Sequence, residues 1–344
     1  MKIWIDLANA PHVNFFKPLI QKFKEHGHDV KVTIRDFNQT PELAFLAGIE
    51  GIIIGKHGGK GTFGKVINLI TRSFCLFKYC RKSCFDIAIS HNSYAQTIAA
   101  RFAGIKVVTI MDFEGQPANH ISFRAANLVI VPDCFSDNDL RKFGAGKSKV
   151  RKYNGFKEQL YLSDFIPDPR FTKKLKEACN FDNEWKVEKN VLVTVRTPAT
   201  FAAYHKFGNP LFNKLLEVIN GRKDIVTIIL PRYPEQKLFI QQNFPKFYIP
   251  KKALSGENLS FYSDLVISGG GTMNREAAIM GTPVYTIFGG ILPAVDQKLM
   301  KMGRLNYIHS ISDLYNIKFQ KKTTIPIIKN KNLLSEIVSI IENS

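Results

Sequence analysis

The chain has 344 residues, enough for about two domains of common size. Hydrophobic residues make up 45% and charged residues 22%, which excludes a disordered chain, and no apolar run approaches the ~18 residues of a membrane span. Five cysteines without a C-x-x-C pair give little support to a zinc site or a disulfide framework. The formal charge of +19 favours anionic partners such as nucleotides, phospholipid headgroups or nucleic acid.

The first half of the chain reads as buried strands separated by helices. A strand at 2–8 is broken by Ala10 and Pro11, and an amphipathic helix then runs to Gly27. Further apolar strands are predicted at 29–35, 49–55, 85–91, 105–111 and 126–132. Apolar strands that alternate with helices indicate a parallel, doubly wound sheet with both faces covered.

A second set of strands begins near residue 190. These strands are predicted at 189–196, 224–231, 263–270 and 282–288. The stretch 155–169 carries a glycine and two prolines without a long periodicity, and is therefore the predicted linker. We predict two similar α/β domains, at 1–160 and 170–330, and a C-terminal helix in 331–344 that packs back on the first. Ligands of open parallel sheets bind beyond the carboxyl ends of the strands, so we expect a site in the cleft between the domains.

The most informative segment is S-G-G-G-T-M-N-R-E-A-A-I-M-G-T-P-V-Y at 268–285, where an apolar strand runs into a glycine turn and then a helix. Its candidate ligand-binding residues are Ser268, Gly269, Gly270, Gly271 and Thr272. Glycines let a ligand approach the backbone closely, and the free N–H groups of a helix start favour an anion such as a diphosphate. Glu276, about one turn into the helix, can accept hydrogen bonds from both hydroxyls of a ribose.

This segment is similar to the nucleotide-sugar motif of GT-B glycosyltransferases, including the peptidoglycan N-acetylglucosaminyltransferase, and of non-hydrolysing UDP-N-acetylglucosamine 2-epimerases. The whole chain looks closest to an uncharacterised prokaryotic family of predicted GT-B enzymes. The resemblance implies a GT-B-like α/β fold, in which two Rossmann-like doubly wound domains face a central cleft. It also implies an acceptor domain at 1–160 and a nucleotide-sugar domain at 170–330. By resemblance, the glycine turn binds the diphosphate and Glu276 binds the ribose.

Candidate residues of the first half follow its strands. His12 in N-A-P-H-V matches the histidine of the GT-B loop G-x-G-G-H, although Ala10 and Pro11 replace the glycines. A histidine with a pKa of ~6.5 suits general-base work near neutral pH, and Asp6 can orient it. The candidates from the next two loops are His91 and Asn92 for acceptor binding, and Asp112 and Glu114 for acceptor binding or base chemistry.

In the second half, cations are expected to hold the donor. Arg196, Lys206 and Arg232 can stabilise the negative charge that a leaving nucleoside diphosphate gains. Asp296 and Gln297 resemble the D-Q element of GT-B transferases that contacts sugar hydroxyls, although the Asn-Ala half of the related Q-x-x-N-A element is absent. No D-x-D pair stands out, so we expect neither a metal nor another cofactor.

The favoured function is a metal-independent glycosyltransferase with a nucleoside-diphosphate sugar donor, more readily UDP than GDP. A UDP-N-acetylglucosamine 2-epimerase-like enzyme is the alternative. It is less favoured because S-H-N-S lacks the carboxylate of the epimerase H-G-D-T element, and Arg196 stands where V-T-x-H-R-x-E-N has histidine. A non-catalytic nucleotide-binding or nucleic-acid-binding protein also stays open, although no nucleic acid is expected as a partner because no recognition signature is present.

The segment 60–82 bears on the acceptor and on location. It contains six Lys or Arg residues and no Asp or Glu, with apolar residues near helical spacing. A basic amphipathic helix can lie on anionic lipid, which favours a lipid-linked acceptor at an anionic membrane surface. The alternative is a helix that packs its apolar face on the sheet and keeps its lysines in water. Without an apolar signal-peptide core near the first residue, we expect a cytoplasmic protein, with peripheral contact at the inner membrane face.

Overall fold

The computed structural model describes residues 1–56, 62–181, 189–198 and 210–344. The chain forms two compact units. The first comprises Met1–Tyr161, Pro293–Val295 and Asn330–Ser344, and the second comprises Leu162–Leu292 and Asp296–Lys329. Over the described ranges, no helix combines the length and the apolar character needed to cross a membrane.

The first unit is built on a sheet of seven parallel strands. They are β1 (Lys2–Leu7), β2 (Asp29–Asp36), β3 (Ile52–Lys56), β4 (Ile87–Ser90), β5 (Lys106–Ile110), β6 (Leu128–Pro132) and β7 (Val150–Tyr153). Their order across the sheet is β3-β2-β1-β4-β5-β6-β7. The first six confirm the predicted apolar strands. The seventh escaped prediction because its sequence, VRKY, has two exposed basic residues at a sheet edge and no apolar run.

Helices of the first unit connect these strands. They are α1 (Pro11–Glu25), α2 (Thr40–Leu46), α3 (Thr62–Arg81), α4 (Tyr94–Phe102), α5 (Asn119–Ala125) and α6 (Asp137–Lys142). A further helix, α7 (Gln159–Leu162), follows the last strand and ends at the first residue of the second unit. The predicted first helix is confirmed. Pro11 occupies its first turn, where the missing N–H is no loss, and Phe16 and Phe23 are buried on one face. Gly27 follows it with a φ of 79°, a left-handed conformation that suits glycine.

The second unit contains a five-stranded parallel sheet, in the order β12-β11-β10-β8-β9. Its strands are β8 (Val191–Arg196), β9 (Ile225–Leu230), β10 (Leu265–Ser268), β11 (Val284–Thr286) and β12 (Asn306–Tyr307). Its helices are α8 (Phe171–Cys179), α9 (Pro210–Asn220), α10 (Pro234–Asn243), α11 (Gly256–Tyr262), α12 (Thr272–Met280) and α13 (Ala294–Lys301), the last beginning in residues of the first unit. Four of the five strands were predicted, and two-residue β12 is too short to leave a pattern.

The last helix, α14 (Leu333–Glu342), belongs to the first unit and contacts α1 and β7. Its apolar face joins the core of that unit through Leu333, Ile337 and Ile341. At its end, Glu342 Oε1 lies 2.7 Å from His26 Nδ1 and 2.9 Å from His28 Nε2. The end of the chain is therefore fixed to the helix that follows the first strand.

Each sheet has one point at which its connections diverge to opposite sides. In the first unit this point lies between β1 and β4, where Asp6 pairs in register with Ser90. In the second it lies between β8 and β10, where Arg196 pairs with Ser268. Such topological switch points open a crevice at the carboxyl ends of the strands, which is where open α/β sheets bind ligands. The loops after β1, β4, β8 and β10 are therefore the places to look for a site.

The end of α12 supplies a stability test. Gly281 adopts a φ of 83°, and a Cβ added there would lie 2.3 Å from the carbonyl oxygen of Ile325. Gly303, after α13, has a similar φ of 69° but open space around it. We expect Gly303→Ala to lose about 1 kcal/mol of unfolding free energy, and Gly281→Ala at least ~1 kcal/mol more because of the clash. Urea unfolding followed by circular dichroism measures both, and equal losses would contradict the clash.

Candidate active site

Asp6, near the end of β1, is fully buried and bonded by several donors. The Arg72 guanidinium of α3 donates from Nη2 to Oδ1 at 2.7 Å and from Nη1 to Oδ2 at 2.9 Å. The hydroxyls of Thr33 and Ser93 also donate to the carboxylate, the first at 2.6 Å. Asp6 thus ties α3 and the start of α4 to β1, and holds the loops after β1 and β4 side by side. Its predicted part in orienting His12 stays a prediction.

His12 lies in the first turn of α1 and keeps some exposure. Its Nδ1 accepts a hydrogen bond from the backbone N–H of Ala8 at 3.2 Å, so the neutral ring carries its proton on Nε2. Burial lowers the pKa of His12 well below its ordinary value, and electrostatic interactions with His91 and Lys157 lower it further, while Asp112 opposes the shift. The ring is therefore neutral at neutral pH.

His91, Asp112 and Lys157 form an almost fully buried group beside His12. The ring centroids of His12 and His91 are 5.2 Å apart. His91 Nε2 lies 3.2 Å from Asp112 Oδ1, and Lys157 Nζ lies 2.7 Å from Asp112 Oδ2. Burial also lowers the pKa of His91, with Lys157 as the next cause. These four residues are termed the first-unit cluster, which combines one carboxylate, one ammonium and two neutral imidazoles.

Lys157 is the residue of this cluster that sequence reasoning missed. It follows β7, which was not predicted, so Lys157 was not recognised as lying beyond a strand's carboxyl end. The available signal was the short sequence N-G-F-K-E-Q at 154–159, whose Asn-Gly pair is typical of a turn. Because a polar strand at a sheet edge lacks the apolar run by which strands are predicted, the residues that follow it are not recognised as lying at a strand end.

Asn92 and Glu114 belong to the loops after β4 and β5. Asn92 adopts a left-handed φ of 57°, and its Nδ2 donates to Asn119 Oδ1 at 2.8 Å and to the Tyr94 hydroxyl at 3.0 Å. Asn119 in turn donates to the backbone carbonyl of Glu114, so the two loops are bridged. Glu114 Oε1 accepts from the backbone N–H of Ala294, a residue of the same unit, at 2.6 Å.

In the second unit, the glycine turn after β10 leaves the start of α12 open. Gly270 and Gly271 have φ values of 92° and 102°, which favour glycine at both positions. Ser268 braces the turn, since its hydroxyl donates to Asn274 Oδ1 at 2.6 Å and accepts from the N–H of Gly270 at 3.1 Å. Of the residues that the structure describes, none caps α12 with its side chain at Gly271, and none has a heavy atom within 4 Å of a Cβ added to exposed Gly271. The helix start is therefore accessible to an anion.

Two arginines add positive charge at the same switch point. Arg196 ends β8 beside Ser268, and its buried Nε finds no hydrogen-bond partner among the described residues. Arg232 Nε donates to the carbonyl oxygen of Thr197 at 2.9 Å. Burial, followed by the charge of Arg196, lowers the pKa of Arg232 to about 10, and burial lowers that of Arg196, against the attraction of Glu276. Glu276 is 7% exposed, whereas Arg196 and Arg232 are half-buried, so two arginines and one buried carboxylate belong to this corner.

The remaining donor-site candidates differ in accessibility. Asp296 is 1% exposed, and its Oδ1 accepts from Arg275 Nε at 2.6 Å. Gln297 is exposed, and its Nε2 donates to the carbonyl oxygen of Leu292 at 2.8 Å. Lys206 lies outside the described residues. Within the ranges that are described, no group of three or more His, Cys, Asp or Glu side chains is arranged to hold a metal ion.

Comparison with known proteins decides the family. A family model described as "Protein of unknown function (DUF354)" matches residues 1–341. The chain belongs to this family. An uncharacterised protein of Methanocaldococcus jannaschii is 27% identical over 321 residues, which cover 92% of this chain and 90% of that relative. The predicted membership of a family of this kind is confirmed.

Solved structures similar to this DUF354 chain show its fold. UDP-GlcNAc 2-epimerase from Neisseria meningitidis bound to UDP-GlcNAc matches with a TM-score of 0.78 at 15% identity, over 100% of both chains. The M. jannaschii UDP-GlcNAc 2-epimerase in complex with UDP-GlcNAc and UDP has a TM-score of 0.71 at 14% identity, and Acinetobacter baumannii MurG has 0.55 at 12%, each over 100% of both chains. The predicted GT-B-like α/β fold with parallel sheets is confirmed.

The lowered pKa of His12 makes stability depend on pH in one direction. Between the pKa of His12 in the folded chain and its value of about 6.5 in the unfolded chain, the unfolded chain binds more protons. The titration of His12 therefore leaves the free energy of unfolding unchanged above pH ~6.5 and lowers it as the pH falls below that value. His12→Asn keeps an acceptor for the N–H of Ala8 but does not titrate. We expect it to flatten the fall in unfolding free energy below pH ~6.5, by at most ~1.4 kcal/mol per pH unit.

Urea unfolding at a series of pH values measures this slope. The control is His309→Asn, which replaces an exposed histidine of the second unit. In this variant the unfolding free energy should fall with decreasing pH at least as steeply as in the wild type. Equal slopes for the wild type and His12→Asn would show that His12 has an ordinary pKa.

Proposed function

We propose that this protein is a metal-independent glycosyltransferase that uses a nucleoside-diphosphate sugar, in the first place a UDP-sugar. The observation that carries the proposal is the open start of α12 at Gly271, at the same switch point as Arg196, whose buried Nε has no hydrogen-bond partner in the described part of the chain. A helix start and a guanidinium together bind a diphosphate well, because both offer N–H donors to phosphate oxygens. The similarity of the fold to enzymes solved with UDP-GlcNAc or UDP supports a UDP-sugar as the ligand.

In this proposal the second unit binds the donor. The diphosphate lies on the turn of Ser268, Gly269, Gly270, Gly271 and Thr272, and Glu276 accepts the ribose hydroxyls. Arg196 and Arg232, together with Lys206, stabilise the charge that grows on the diphosphate as the glycosidic bond breaks. Asp296 and Gln297 contact the sugar. Because Asp296 Oδ1 already accepts from Arg275, exposed Gln297 is the more accessible of the two.

The first unit binds the acceptor and removes its proton. His91 and Asn92 contact the acceptor, and His12, Asp112, Glu114 and Asp6 are the residues assigned to catalysis. His12 is neutral, as a base must be, but its Nδ1 is engaged by Ala8, so it accepts a proton only when that hydrogen bond opens. While that hydrogen bond is formed, the ring of His12 can only donate, through Nε2–H. Asp112, whose Oδ2 pairs with Lys157 Nζ, is then the next candidate base.

The acceptor in this proposal is lipid-linked and presented at an anionic membrane surface, with the enzyme in the cytoplasm and peripheral to the inner face of the membrane. The basic segment 60–82 supports this choice, since cationic and apolar side chains together favour lipid over nucleic acid.

The epimerase-like alternative is supported by the fold, because similar solved structures are UDP-GlcNAc 2-epimerases. Two positions count against it. The S-H-N-S element at 90–93 has no carboxylate, and Asn92 stands where H-G-D-T has aspartate. Arg196 occupies the place where the epimerase motif V-T-x-H-R-x-E-N has histidine. Epimerisation needs groups that move protons, and neither asparagine nor arginine does so readily.

Incubation of the purified protein with UDP-GlcNAc and a panel of UDP- and GDP-sugars in D2O, followed by NMR, separates the candidates. A transferase without its acceptor releases UDP and free sugar slowly. An epimerase forms the C2 epimer with deuterium at C2, and a non-catalytic protein binds nucleotide without turnover. Failure to bind any nucleoside diphosphate would overturn the proposal and the epimerase alternative together.

Arg196 provides the sharpest test of the donor site. We expect Arg196→Met to weaken UDP binding roughly 10- to 100-fold, because a charge-assisted hydrogen bond to phosphate is lost. Arg222→Met is the matched control, since Arg222 is an exposed arginine of the same unit, paired with Asp224. Isothermal titration calorimetry measures both, and an unchanged affinity in Arg196→Met would place the diphosphate elsewhere.

A further inference from the structure

Helix α3 exposes an apolar stripe. Val66, Ile67, Ile70 and Phe74 are 49%, 48%, 65% and 56% exposed. At about 100° of rotation per residue, these positions fall within an arc of roughly 100° on one side of the helix. Large apolar side chains gathered on one exposed face mark an interaction surface, unlike scattered single ones.

The orientation of the helix explains why this stripe is not packed in the core. The inward side of α3 carries Arg72, which pairs with buried Asp6 and donates from Nε to the carbonyl oxygen of Ile54 at 2.9 Å. Asn68 on the same side donates to the carbonyl oxygen of Lys56 at 2.7 Å. These polar contacts fix the rotation of α3, so the isoleucines and Phe74 are held facing outwards.

Positive charge surrounds the stripe. Lys65, Lys78, Arg81 and Lys82 are all exposed, and the helix contains no Asp or Glu. The Lys78 ammonium lies 4.4 Å from the centre of the exposed Phe74 ring, so cationic and apolar groups form one surface. A surface of this composition is complementary to anionic lipid, whose headgroups pair with the basic side chains while the acyl region receives the apolar ones.

A second copy of the chain is the competing occupant, and the charges disfavour it. A two-fold symmetric contact through α3 would place the basic residues of one copy near those of the other, without an acidic residue from either helix between them. An anionic bilayer removes this repulsion.

We propose that the outward face of α3 docks the protein on an anionic bilayer surface, with Val66, Ile67, Ile70 and Phe74 inserted at the interface and Lys78 and Arg81 at the headgroups. The inference deepens the proposed function, on which it rests only for the identity of the acceptor. Because Arg72 of this helix pairs with Asp6, α3 is fixed to the end of β1, the strand that His12 follows. A lipid-linked acceptor would thus be presented on the unit proposed to bind it.

Sedimentation of the full chain with vesicles tests the proposal. We expect binding to vesicles of phosphatidylcholine with phosphatidylglycerol, weak binding to phosphatidylcholine alone, and a loss of binding as salt is raised. The double variant Ile70→Ser/Phe74→Ser should reduce binding about tenfold or more. Its matched control, Ile166→Ser/Ile291→Ser, changes two exposed isoleucines of the second unit and should bind as the wild type does.

A charge reversal completes the experiment. Lys78→Glu/Arg81→Glu should also lower binding to anionic vesicles about tenfold or more, whereas Lys17→Glu/Lys24→Glu, at exposed lysines of α1, should have a much smaller effect. UDP affinity should be unchanged in all four variants, so a failure of docking is distinguishable from a failure of the donor site. Salt-insensitive binding, no binding, or equal binding by both apolar double variants would overturn the proposal. So would a dimer in analytical ultracentrifugation that Ile70→Ser/Phe74→Ser abolishes without any vesicle binding.

Discussion

The carboxylate of Asp6 and the guanidinium of Arg72 form a two-pronged ion pair inside the first unit, at 3% exposure or less on either side. Burying two charges is expensive, and the pair offsets this only because Thr33 and Ser93 satisfy the same carboxylate. Removal of either charge would leave the other unpaired, which typically costs about 3–5 kcal/mol. The pair therefore fixes both the rotation of α3 and the position of the loop after β4.

The second unit handles buried charge in the opposite way. The buried Nε of Arg196 has no hydrogen-bond partner within the described ranges, and burial, followed by the charge of Arg196, lowers the pKa of Arg232. Glu276 offers partial compensation. Positive charge that is only partly compensated lowers the stability of the fold, and a bound anionic ligand would offset that cost. At this switch point the proposed donor-binding charges lower the stability of the fold, whereas the ion pair of Asp6 and Arg72 helps to hold the first unit together.

Much of the fold was predictable from local pattern, and the exceptions have physical causes. The continuous apolar strands and the glycine turn of 268–285 were predicted, because burial on both faces requires apolar residues and a positive φ favours glycine. β7 left none, and Lys157 was missed with it. The pairing of Arg72 with Asp6 joins residues far apart in the chain, so no pattern could reveal that a charged residue of α3 faces the sheet. The helical periodicity of 60–82 predicted the apolar stripe of α3, but it did not predict whether the stripe faces the sheet or the solvent.

The two switch points differ in electrostatic character, and the proposed transfer needs that difference. A departing diphosphate accumulates negative charge, which the corner of Arg196 and Arg232 would stabilise without rearrangement. An acceptor hydroxyl must instead give up a proton, which requires a neutral or anionic base rather than a cation. Desolvation and the ammonium of Lys157 keep His12 and His91 neutral, and the same ammonium pairs with Asp112. Lys157 therefore acts on all three candidate bases: it pairs with Asp112 and helps to keep His12 and His91 neutral, so its charge would influence which of them takes the proton.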